Sequence, residues 1–327
     1  MIKNRFVLID AFALIHRAYH ALPPFTASDG TQVGAVYGFA SALLSAIKTL
    51  EPEYLAVGFD TPKPTKRHKE YLEYKAHRVK APEELSLQIP YVVEMLQVMN
   101  IPMKAAEGYE GEDIIASIIL NAKRSTLNAN LEFIIVTGDL DCLQLVDKQT
   151  KVYSMARGVT QAAMYDIDKV KERYGLTPSQ FVDFKALKGD PSDNIPGVPG
   201  IGEKGAANLI KEFDSLEELY QAINPKSEAR NPKQIPNKKN NKKIQNKLNI
   251  SEKLVKILLE NKEQAEMSYK LSKIVTDAPV EFDLERAKIH DFDKERVIEL
   301  FHKLRFKSLI PRLPESSRTN NNPPKLF

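Results

Sequence analysis

Short apolar runs alternate with helical patterns in the first half of the chain, and this alternation constrains the fold more than any other feature. The apolar runs are rich in β-branched and aromatic residues and cover residues 6–9, 55–59 and 133–136. The helical patterns between and around them cover residues 36–50, 83–99 and 112–123. Apolar runs without polar alternation are typical of strands that are buried on both faces of a parallel sheet. The sequence therefore predicts an α/β fold with a mostly parallel central sheet flanked by helices.

The pattern changes near Tyr174, beyond which no further strand is predicted. From Pro178 onward the sequence is helical and is interrupted by Pro and Gly. We therefore predict an α/β region over residues 1–173, an α-helical region over residues 174–313, and a disordered tail rich in Pro, Ser and Asn over residues 314–327. The 43% of hydrophobic residues is enough to form a core, and the 28% of charged residues is ordinary for a globular chain, so disorder throughout is excluded.

Several classes of protein are excluded by simple sequence features. No apolar run approaches the ~20 residues needed to cross a bilayer, and Asp10 follows the start too closely for a signal peptide. The single cysteine, Cys142, excludes a disulfide framework and a cysteine-based zinc site. We expect a soluble, cytoplasmic protein that has no membrane partner.

The net charge of +4 is concentrated in one segment, residues 224–249. This segment contains eight basic residues and one acidic residue, and the rest of the chain is net negative. Such a local concentration indicates a polyanionic partner, although the Asn and Pro content of the segment equally favours a solvated loop.

Acidic residues stand where the predicted strands end. In chain order, the seven acids at these positions are Asp10, Asp60, Glu110, Glu112, Asp113, Asp139 and Asp141. The middle three follow a short apolar segment, residues 101–106, at the start of a predicted helix. Because the carboxyl ends of parallel strands share one edge of a sheet, where ligands bind, we expect all seven carboxylates at that edge.

Each of these acids has a structural explanation when it is taken alone. Asp after a strand commonly caps a helix, and Glu in a first turn complements the helix dipole. Together, however, like charges repel and raise each other's pKa unless a cation lies among them. Oxygen ligands without His or Cys suit Mg²⁺ or Mn²⁺, which predicts a two-metal hydrolase of phosphodiesters. Asp190 and Asp193, three residues apart across a Pro turn, are a further candidate pair, and a plain turn explains them as well.

Four glycines crowd into residues 197–205. Gly200, Gly202 and Gly205 fit the spacing of the dinucleotide-binding fingerprint, but no strand precedes them, and the sequence also fails the Walker phosphate-loop pattern. The interpretation that remains is a pair of helices joined by a glycine turn, with the second helix beginning near Lys204. Amides at such a helix start can hold a phosphate without reading a base, whereas a purely structural turn needs fewer glycines.

A basic segment with interleaved tyrosines, residues 61–82, follows Asp60. Read as a helix, this segment has one face formed by Arg67, Tyr71, Tyr74, Lys75 and Arg78. Cations alternating with aromatic rings suit a single nucleic-acid strand, because the charges follow phosphates and the rings stack on bases. The alternative is a solvated helix whose two tyrosines pack on the core.

The motifs, taken in order, resemble the flap endonuclease and 5′→3′ exonuclease family, and in particular the 5′→3′ exonuclease domain at the N-terminus of bacterial DNA polymerase I. The residues that carry the resemblance are V-L-I-D-A-F-A-L-I-H-R, F-D-T-P-K-P-T-K-R-H, G-Y-E-G-E-D, T-G-D-L-D and G-D-P-S-D-N-I-P-G-V-P-G-I-G-E-K. The resemblance is collinear and extends from the first strand to about Leu309. It implies a PIN-like nuclease core, a basic arch at residues 61–82 and a DNA-binding helix–three-turn–helix at about residues 186–212.

The resemblance also implies a role for each matching residue. The implied metal ligands are Asp10, Asp60, Glu110, Glu112, Asp113, Asp139, Asp141, Asp190 and Asp193. The implied cations near the scissile phosphate are Lys75 and Arg78, which with Asp10, Asp60, Asp139 and Asp141 form the expected catalytic set. The implied substrate contacts include Arg17 and Arg67. The implied grip on the duplex backbone, where K⁺ often binds in the family, is formed by Gly200, Gly202, Lys204 and Gly205.

The implied activity is a Mg²⁺-dependent nuclease, acting as a monomer in DNA replication and repair. Its expected substrates are DNA with a 5′ flap or a single-stranded 5′ end and RNA primer–DNA hybrids.

Two departures from the family stand out: Glu112 occupies a position that is usually Asp, and the family offers no role for residues 224–249. A non-catalytic DNA-structure-binding paralogue is the alternative function, although loss of several acids would then be expected and none is lost. A small-molecule α/β enzyme would leave the basic segment without a purpose.

Overall fold

The computed structural model describes the chain in five stretches: residues 4–78, 81–124, 130–155, 161–223 and 250–316. The basic segment 224–249 and most of the predicted tail lie outside these described residues. The chain divides into two compact units. Unit 1 comprises Met1–Lys66, Val79–Asp166 and Ile274–Phe327, and unit 2 comprises Arg67–Arg78 and Ile167–Lys273.

A sheet that has six strands in the described residues lies at the centre of unit 1. Its strands are β1 (Arg5–Asp10), β2 (Tyr54–Gly58), β3 (Met103–Lys104), β4 (Glu132–Thr137), β5 (Thr150–Ser154) and β6 (Ala163–Tyr165). They lie in the order β3-β2-β1-β4-β5-β6, and only the β5–β6 pair is antiparallel. The mostly parallel sheet and the three predicted strands are confirmed. β5 and β6 were not predicted, because β5 alternates between buried and half-buried residues and β6 is only three residues long.

The helices, in chain order, are α1 (Ala11–Ala21), α2 (Gly34–Leu50), α3 (Lys66–Glu70), α4 (Glu83–Ser86), α5 (Ile89–Val98), α6 (Gly111–Lys123), α7 (Ile167–Tyr174), α8 (Phe181–Lys188), α9 (Glu203–Phe213), α10 (Leu216–Ile223), α11 (Glu252–Glu260), α12 (Lys262–Ser272) and α13 (Lys294–Lys303). Short 3₁₀ turns cover Asp141–Leu145, Pro178–Gln180, Glu285–Ala287 and Lys307–Arg312. No helix in the described stretches is both long and apolar enough to cross a membrane.

The core of unit 1 forms because its central strands are apolar on both faces. All five residues of β2 and all six of β4 are buried, and α1 and α2 pack against each other beside them. The C-terminal helix α13 also belongs to this core, since Phe301 and the following Phe306 are 0% exposed in the same cluster as Phe39 of α2. A single boundary near residue 174 therefore does not describe the two compact units. The C-terminal residues return to unit 1, because their aromatic side chains complete its core.

The helix predicted over residues 83–99 is two helices, α4 and α5. Pro90 lies in the first turn of α5, where its missing N–H is tolerated. A continuous helix through this position is disfavoured, because the proline ring would clash with the carbonyl of Ser86, four residues earlier. The sequence pattern was apolar at helical spacing on both sides of the break, so the prediction of one helix was wrong about the break and right about the helical content.

Unit 2 is built around α8, which packs against α9 and α12. Seven of the eight residues of α8 are buried, as expected for a helix at the centre of a small helical domain. The predicted helical region is confirmed, and so is the pair of helices joined by a glycine turn, which are α8 and α9. The side chains at the apolar centre of α8 include Phe184 and Leu187.

The single helical face predicted for the basic segment is wrong. Among the described residues of this segment, 61–78 and 81–82, only those of α3 are helical, and the chain then runs through successive turns to Arg78. Lys75 has a positive φ of 54°, which a helix does not allow. Within unit 2 the Lys75 amide donates to the Asp193 carbonyl (2.9 Å), so a contact distant in sequence replaces the helical hydrogen bond.

Candidate metal centre and nucleic-acid interface

Asp10 lies where β1 meets α1, at the carboxyl edge of the sheet. Its Oδ1 accepts a hydrogen bond from the Ala13 amide (3.2 Å), so Asp10 caps α1. Its Oδ2 accepts from the Thr137 hydroxyl at the end of β4 (2.8 Å). The carboxylate is thus fixed by two elements and is only 8% exposed.

Asp60 follows β2 and lies beside Asp10. Its Oδ1 accepts a hydrogen bond from the Gly111 amide at the start of α6 (2.5 Å). A Cβ added to Gly111 would lie 3.6 Å from the Oδ1 atoms of both Asp10 and Asp60. The two carboxylates therefore approach the same point of the α6 backbone, as predicted from strands that end at one edge.

Asp139 and Asp141 extend this edge beyond β4 through a tight turn. The Asp139 amide donates to the Thr137 hydroxyl (2.9 Å), and the Asp141 amide donates to Asp139 Oδ1 (2.8 Å). Thr137 therefore contacts both Asp10 and the start of this turn. The turn continues into the 3₁₀ segment that contains Cys142.

Glu110, Glu112 and Asp113 form the start of α6. Glu110 and Asp113 make a reciprocal capping box, in which Asp113 Oδ2 accepts from the Glu110 amide (3.0 Å). Asp113 Oδ1 accepts from the Val275 amide (2.8 Å), and Asp113 is 1% exposed. The structure thus gives Asp113 the capping role that the sequence also allowed, and its role as a metal ligand stays a prediction. Glu112, in the same first turn, is half-buried.

The electrostatics of this edge are strongly negative. Burial, followed by the charge of Asp60 and more weakly that of Asp139, raises the pKa of Asp10 to about 7, although hydrogen bonds from Thr137 and Ala13 oppose the shift. Burial also raises the pKa of the Cys142 thiol, and the charges of Glu112, Asp10, Asp139 and Asp141 add to it. The fields of carboxylates from different segments therefore overlap at one edge of unit 1.

The donor chemistry of this edge fits a hard divalent cation. The side chains offered are carboxylates, and Asp10 is buried among like charges that a cation would neutralise. Within the described residues, no three His, Cys, Asp or Glu side chains form a closed ligand group. Instead the carboxylates accept hydrogen bonds from backbone amides and from a hydroxyl.

Asp190 and Asp193 lie in unit 2, where each has a basic partner. Asp190 Oδ2 is 2.6 Å from the ammonium of Lys185, a residue of α8 whose side chain is only 4% exposed. Burial pushes the pKa of Asp190 upward, but the charge and hydrogen bond of Lys185, with hydrogen bonds from Ser192, lower it to about 2. Asp190 is thus neutralised within unit 2, and its role as a metal ligand stays a prediction.

Asp193 holds the basic segment. Its Oδ1 accepts a hydrogen bond from Arg78, and its Oδ2 lies 3.7 Å from the Lys75 ammonium and accepts from the Tyr74 hydroxyl (3.3 Å). The side-chain Nδ2 of the neighbouring Asn194 donates to the Glu73 carbonyl (2.7 Å). The two cations predicted to contact a scissile phosphate are therefore presented from a turn that Asp193 fixes.

Two of the predicted nucleic-acid contacts are internal to unit 2. Arg67 is 5% exposed and donates to the carbonyls of Leu271 (3.0 Å) and Lys273 (2.8 Å). Tyr74 is 2% exposed and packs in an apolar cluster, which is the core-packing alternative for this residue.

Tyr71 is half-buried and donates to Glu73 (2.9 Å). Arg17, on α1 of unit 1, is also half-buried. Contacts of these side chains with nucleic acid stay predictions.

The glycine turn between α8 and α9 presents an open backbone. Gly200 has a φ of 81°, which favours glycine, and Gly202 caps α9 in an extended conformation. A Cβ added at either position would meet no atom within 4 Å. Lys204 and Gly205 follow in the exposed first turn of α9, whose amides have no partner within the helix. This arrangement suits an approaching phosphate.

Comparison with known proteins assigns the chain to a family. Residues 5–175 match the family described as 5'-3' exonuclease, N-terminal resolvase-like domain, and residues 176–295 match 5'-3' exonuclease, C-terminal SAM fold. The chain belongs to the 5′-3′ exonuclease family. The family resemblance stated from the motifs is thereby confirmed, together with the PIN-like core and the helical C-terminal domain.

Relatives of known name include two bacterial DNA polymerase I proteins. The chain is 39% identical to that of Bacillus subtilis over 315 residues, covering 96% of this chain and 33% of the relative. It is 40% identical to that of Caldicellulosiruptor bescii over 311 residues, covering 94% of this chain and 33% of the relative. The chain thus spans about a third of the length of these relatives.

Solved structures share the fold at lower identity. The T5 D15 protein co-crystallised with metal ions aligns with a TM-score of 0.60 and 21% identity, covering 84% of this chain and 90% of that chain. The catalytic core of Rad2 in complex with a DNA substrate aligns with a TM-score of 0.58 and 17% identity, covering 95% of this chain and 93% of that chain. At these identities the alignments show a shared fold and nothing more.

Sequence reasoning missed three residues that organise the two acidic regions of this family member. Thr137 contacts Asp10 and the Asp139 turn, Gly111 lets two carboxylates approach the α6 backbone, and Lys185 neutralises Asp190. Lys185 carried a usable signal, because F-V-D-F-K-A-L is a helical run that is apolar except for Asp183 and Lys185. A buried lysine in such a run requires an acidic partner.

Proposed function

We propose that this chain is a divalent-metal-dependent nuclease that hydrolyses phosphodiester bonds at the 5′ ends of DNA. The observation that carries the proposal is the cluster of carboxylates at the carboxyl edge of the unit 1 sheet, with Asp10 buried among them at a pKa of about 7. A fold that keeps like charges together at a ligand-binding edge is disfavoured unless cations bind there. Family membership supports the same conclusion.

The proposed cofactor is Mg²⁺ or Mn²⁺, with two or more ions. Asp10, Asp60, Asp139 and Asp141 would hold them, with Glu110, Glu112 and Asp113 at the α6 start and the Asp190–Asp193 pair as further candidates. Bound divalent ions supply Lewis-acid activation of the phosphodiester and of water. Thr137 and the Gly111 amide orient Asp10 and Asp60, which keeps their carboxylates in place before substrate arrives.

Lys75 and Arg78 are proposed to stabilise the negative charge that develops on the phosphate during cleavage. Both side chains contact Asp193 in the structure, so a phosphate that binds them competes with this carboxylate. When no substrate is present, the contacts with Asp193 keep the two cations oriented, because they limit the conformations of these long side chains.

The proposed substrates are DNA with a 5′ flap or a single-stranded 5′ end and RNA primer–DNA hybrids, acted on by a monomer. The T5 D15 flap endonuclease complex with DNA and metal ions and the Rad2 complexes with DNA substrate make this the substrate class to test first. The glycine turn is proposed to hold the duplex backbone through Gly200, Gly202, Lys204 and Gly205, with K⁺ bound at the turn.

The test is cleavage of 5′-end-labelled flap DNA with Mg²⁺, with Mn²⁺, with Ca²⁺ and with EDTA, and binding is measured on the same DNA with Ca²⁺. We expect a short labelled 5′ product with Mg²⁺ or Mn²⁺ alone. The same duplex labelled at its 3′ end serves as the control for polarity. Tight binding without cleavage under any of these conditions would instead indicate a non-catalytic DNA-binding protein and overturn the proposal.

A further inference from the structure

Unit 2 contains a cavity whose lining residues, apart from Lys204, have none of the roles assigned above. Its volume is about 270 Å³, and it lies among α7, α8 and α9. The lining residues are Arg173, Tyr174, Phe184, Glu203, Lys204, Ala207, Asn208 and Lys211. The cavity is thus formed by the exposed face of α9 and by the end of α7.

The charged residues in the lining of the cavity are mostly basic. Arg173, Lys204 and Lys211 are cationic, and Glu203 is the single acid among the lining residues. The Glu203 carboxylate lies 3.9 Å from the ammonium of Lys188, which offsets part of its charge. The cavity therefore favours an anion, and its charges arise from α7 and from both ends of α9.

The backbone next to the cavity makes room for one of these cations. Gly175, which ends α7, has a φ of 66°, and a Cβ added to it would overlap the ammonium and Cε of Lys211. Any other residue at this position would displace the Lys211 head group as well as strain the turn. A helix C-terminus also attracts a lysine through its dipole, so Lys211 has a structural explanation that an experiment must separate from ligand binding.

Two aromatic side chains line the cavity, and we call this part of the lining the aromatic floor. The rings of Tyr174 and Phe184 lie 6.3 Å apart, and the Arg173 guanidinium lies 5.0 Å from the centre of the Tyr174 ring. The side-chain amide of Asn208 adds a group that both donates and accepts hydrogen bonds. An aromatic floor beside cationic side chains suits a ligand that carries a phosphate on a less polar body.

We propose that this cavity binds a sugar–phosphate unit of a nucleic-acid strand, with the phosphate at Arg173 and Lys211 and the sugar over the aromatic floor. Lys204, Asn208 and Lys211 recur at i, i+4 and i+7 and so share one face of α9. The phosphate contacts that begin at the glycine turn thereby continue along the helix to the cavity. The inference rests on the proposed function, since it assumes that unit 2 follows a nucleic-acid backbone.

The experiment is a salt titration of binding to a blunt DNA duplex with Ca²⁺ present, using R173Q/K211Q and the matched control K253Q/K256Q. The control removes two charges from exposed positions of α11 that do not line the cavity. Loss of one phosphate contact should reduce the slope of log K against log salt by ~0.9, with roughly tenfold weaker binding at 0.1 M salt. The control should keep the wild-type slope.

A second pair of variants keeps the test independent of the two cations and of the end of α7. Ala207→Glu places a carboxylate in the cavity, and Ala207→Gln is its neutral match in size. We expect Ala207→Glu to reproduce the weaker binding and the reduced slope, and Ala207→Gln to bind at least threefold more tightly than Ala207→Glu. Equal thermal unfolding of the two variants shows that the difference arises in binding.

The outcomes separate this inference from the proposed function. Wild-type binding of duplex with an unchanged slope in R173Q/K211Q would overturn the cavity assignment and leave the nuclease proposal intact, and Lys211 would then be a helix cap. Absence of both binding and cleavage in the wild type would overturn the proposed function.

Titration with a deoxynucleoside 5′-monophosphate distinguishes the source of the phosphate. If the monophosphate binds with micromolar affinity and Ala207→Glu abolishes this binding, the cavity is a site for free nucleotides. That result would overturn the proposal that it binds a nucleic-acid strand.

Discussion

Two carboxyl groups, one in each unit, have pKa values shifted in opposite directions. Burial and the charge of Asp60 raise the pKa of Asp10 to about 7, whereas Lys185 and Ser192 outweigh burial and lower that of Asp190 to about 2. Both groups accept hydrogen bonds from a hydroxyl and a backbone amide. The difference therefore arises from the deeper burial of Asp10, which is the largest cause of its raised pKa, and from the neighbouring charge, which is an acid beside Asp10 and a buried lysine beside Asp190.

The contrast separates a site that needs an external cation from a region that supplies its own. In unit 1 burial and the charges of Asp60 and Asp139 raise the pKa of Asp10, and the fold keeps these acids together through Thr137 and Gly111. In unit 2 the acidic pair is matched by cations of the same unit, and Asp193 orients Lys75 and Arg78. Removal of carboxylates from the unit 1 edge should therefore affect chemistry, whereas loss of the Lys185–Asp190 pair of unit 2 should affect stability.

The largest expected effect is on cleavage by the double variant D139N/D141N. Loss of two carboxylates from the proposed metal site should lower the cleavage rate by ~10³-fold or more, since even one electrostatic group in an active site is worth ~10²–10³-fold. Flap binding in EDTA should stay within about threefold of wild type, because these acids do not attract a polyanion when no metal is bound. The rate is measured under single-turnover conditions.

The control for this double variant is E295Q/E299Q, which removes the same charge from exposed positions of α13 in unit 1. It should cleave at the wild-type rate. Rapid cleavage by D139N/D141N would show that the sheet edge is not the metal centre, and the distinction between the two units would lose its functional meaning.

The second effect is on stability. Lys185→Met leaves Asp190 without its buried partner and should lower the free energy of unfolding by roughly 3 kcal/mol, measured by urea denaturation. Adding Asp190→Asn to this variant removes the remaining charge and should restore about half of the loss. If Lys185→Met alone is as stable as wild type, the ion pair does not hold the fold of unit 2 together.

The pH dependence of this loss follows from the direction of the shift. The pKa of Asp190 in the folded protein is about 2, below its ordinary value of 3.8. A carboxyl whose pKa is lowered by folding stabilises the protein above its unfolded pKa, and this stabilisation disappears as pH falls through the folded pKa. The difference in stability between wild type and Lys185→Met should therefore be constant above about pH 5 and narrow between about pH 4 and pH 2.

The third effect concerns the cations that Asp193 orients. Lys75→Ala should lower the single-turnover rate by roughly 10²-fold, the usual order for one electrostatic stabiliser. The turn should remain folded, because Arg78 and Tyr74 still contact Asp193. Affinity should change less than the rate, since one phosphate contact is a small part of binding.

The matched control is Lys63→Ala, an exposed lysine of the same basic segment that pairs with Glu107. It should leave the single-turnover rate unchanged. Weak binding by Lys75→Ala, together with normal cleavage at saturating protein, would make Lys75 a binding residue that takes no part in charge stabilisation.

The parts of the molecule that the sequence predicts are those governed by local pattern. The runs that became β1, β2 and β4 were recognisable from their apolar composition, and their parallel arrangement brought Asp10 and Asp60 together. Long-range contacts were not predictable. The pairing of Lys185 with Asp190, the burial of Arg67 against carbonyls about two hundred residues away, and the return of Phe301 to the unit 1 core depend on tertiary packing that overrides local spacing.

The basic segment shows why a correct composition can lead to a wrong conformation. Its residues recur at helical spacing, yet Tyr74 is buried and the Lys75 amide bonds to Asp193. These tertiary contacts stabilise a turn with a positive φ at Lys75 in place of a helix. Residues that recur at helical spacing predict a helix only where the face they share packs against the core.

The smallest expected effect tests the position at which the unit 1 acids depart from the family pattern. Glu112 lies half-buried in the first turn of α6, and its charge reaches the buried Cys142. Glu112→Asp keeps the charge and shortens the side chain by one methylene, so cleavage should stay within about threefold and helix stability within about 0.5 kcal/mol. Glu112→Gln keeps the length and removes the charge, and it should cleave at least tenfold more slowly if the carboxylate serves the metal centre. An equal loss in both variants would mean that the site has adapted to the longer acid, so that reach matters as much as charge at this position.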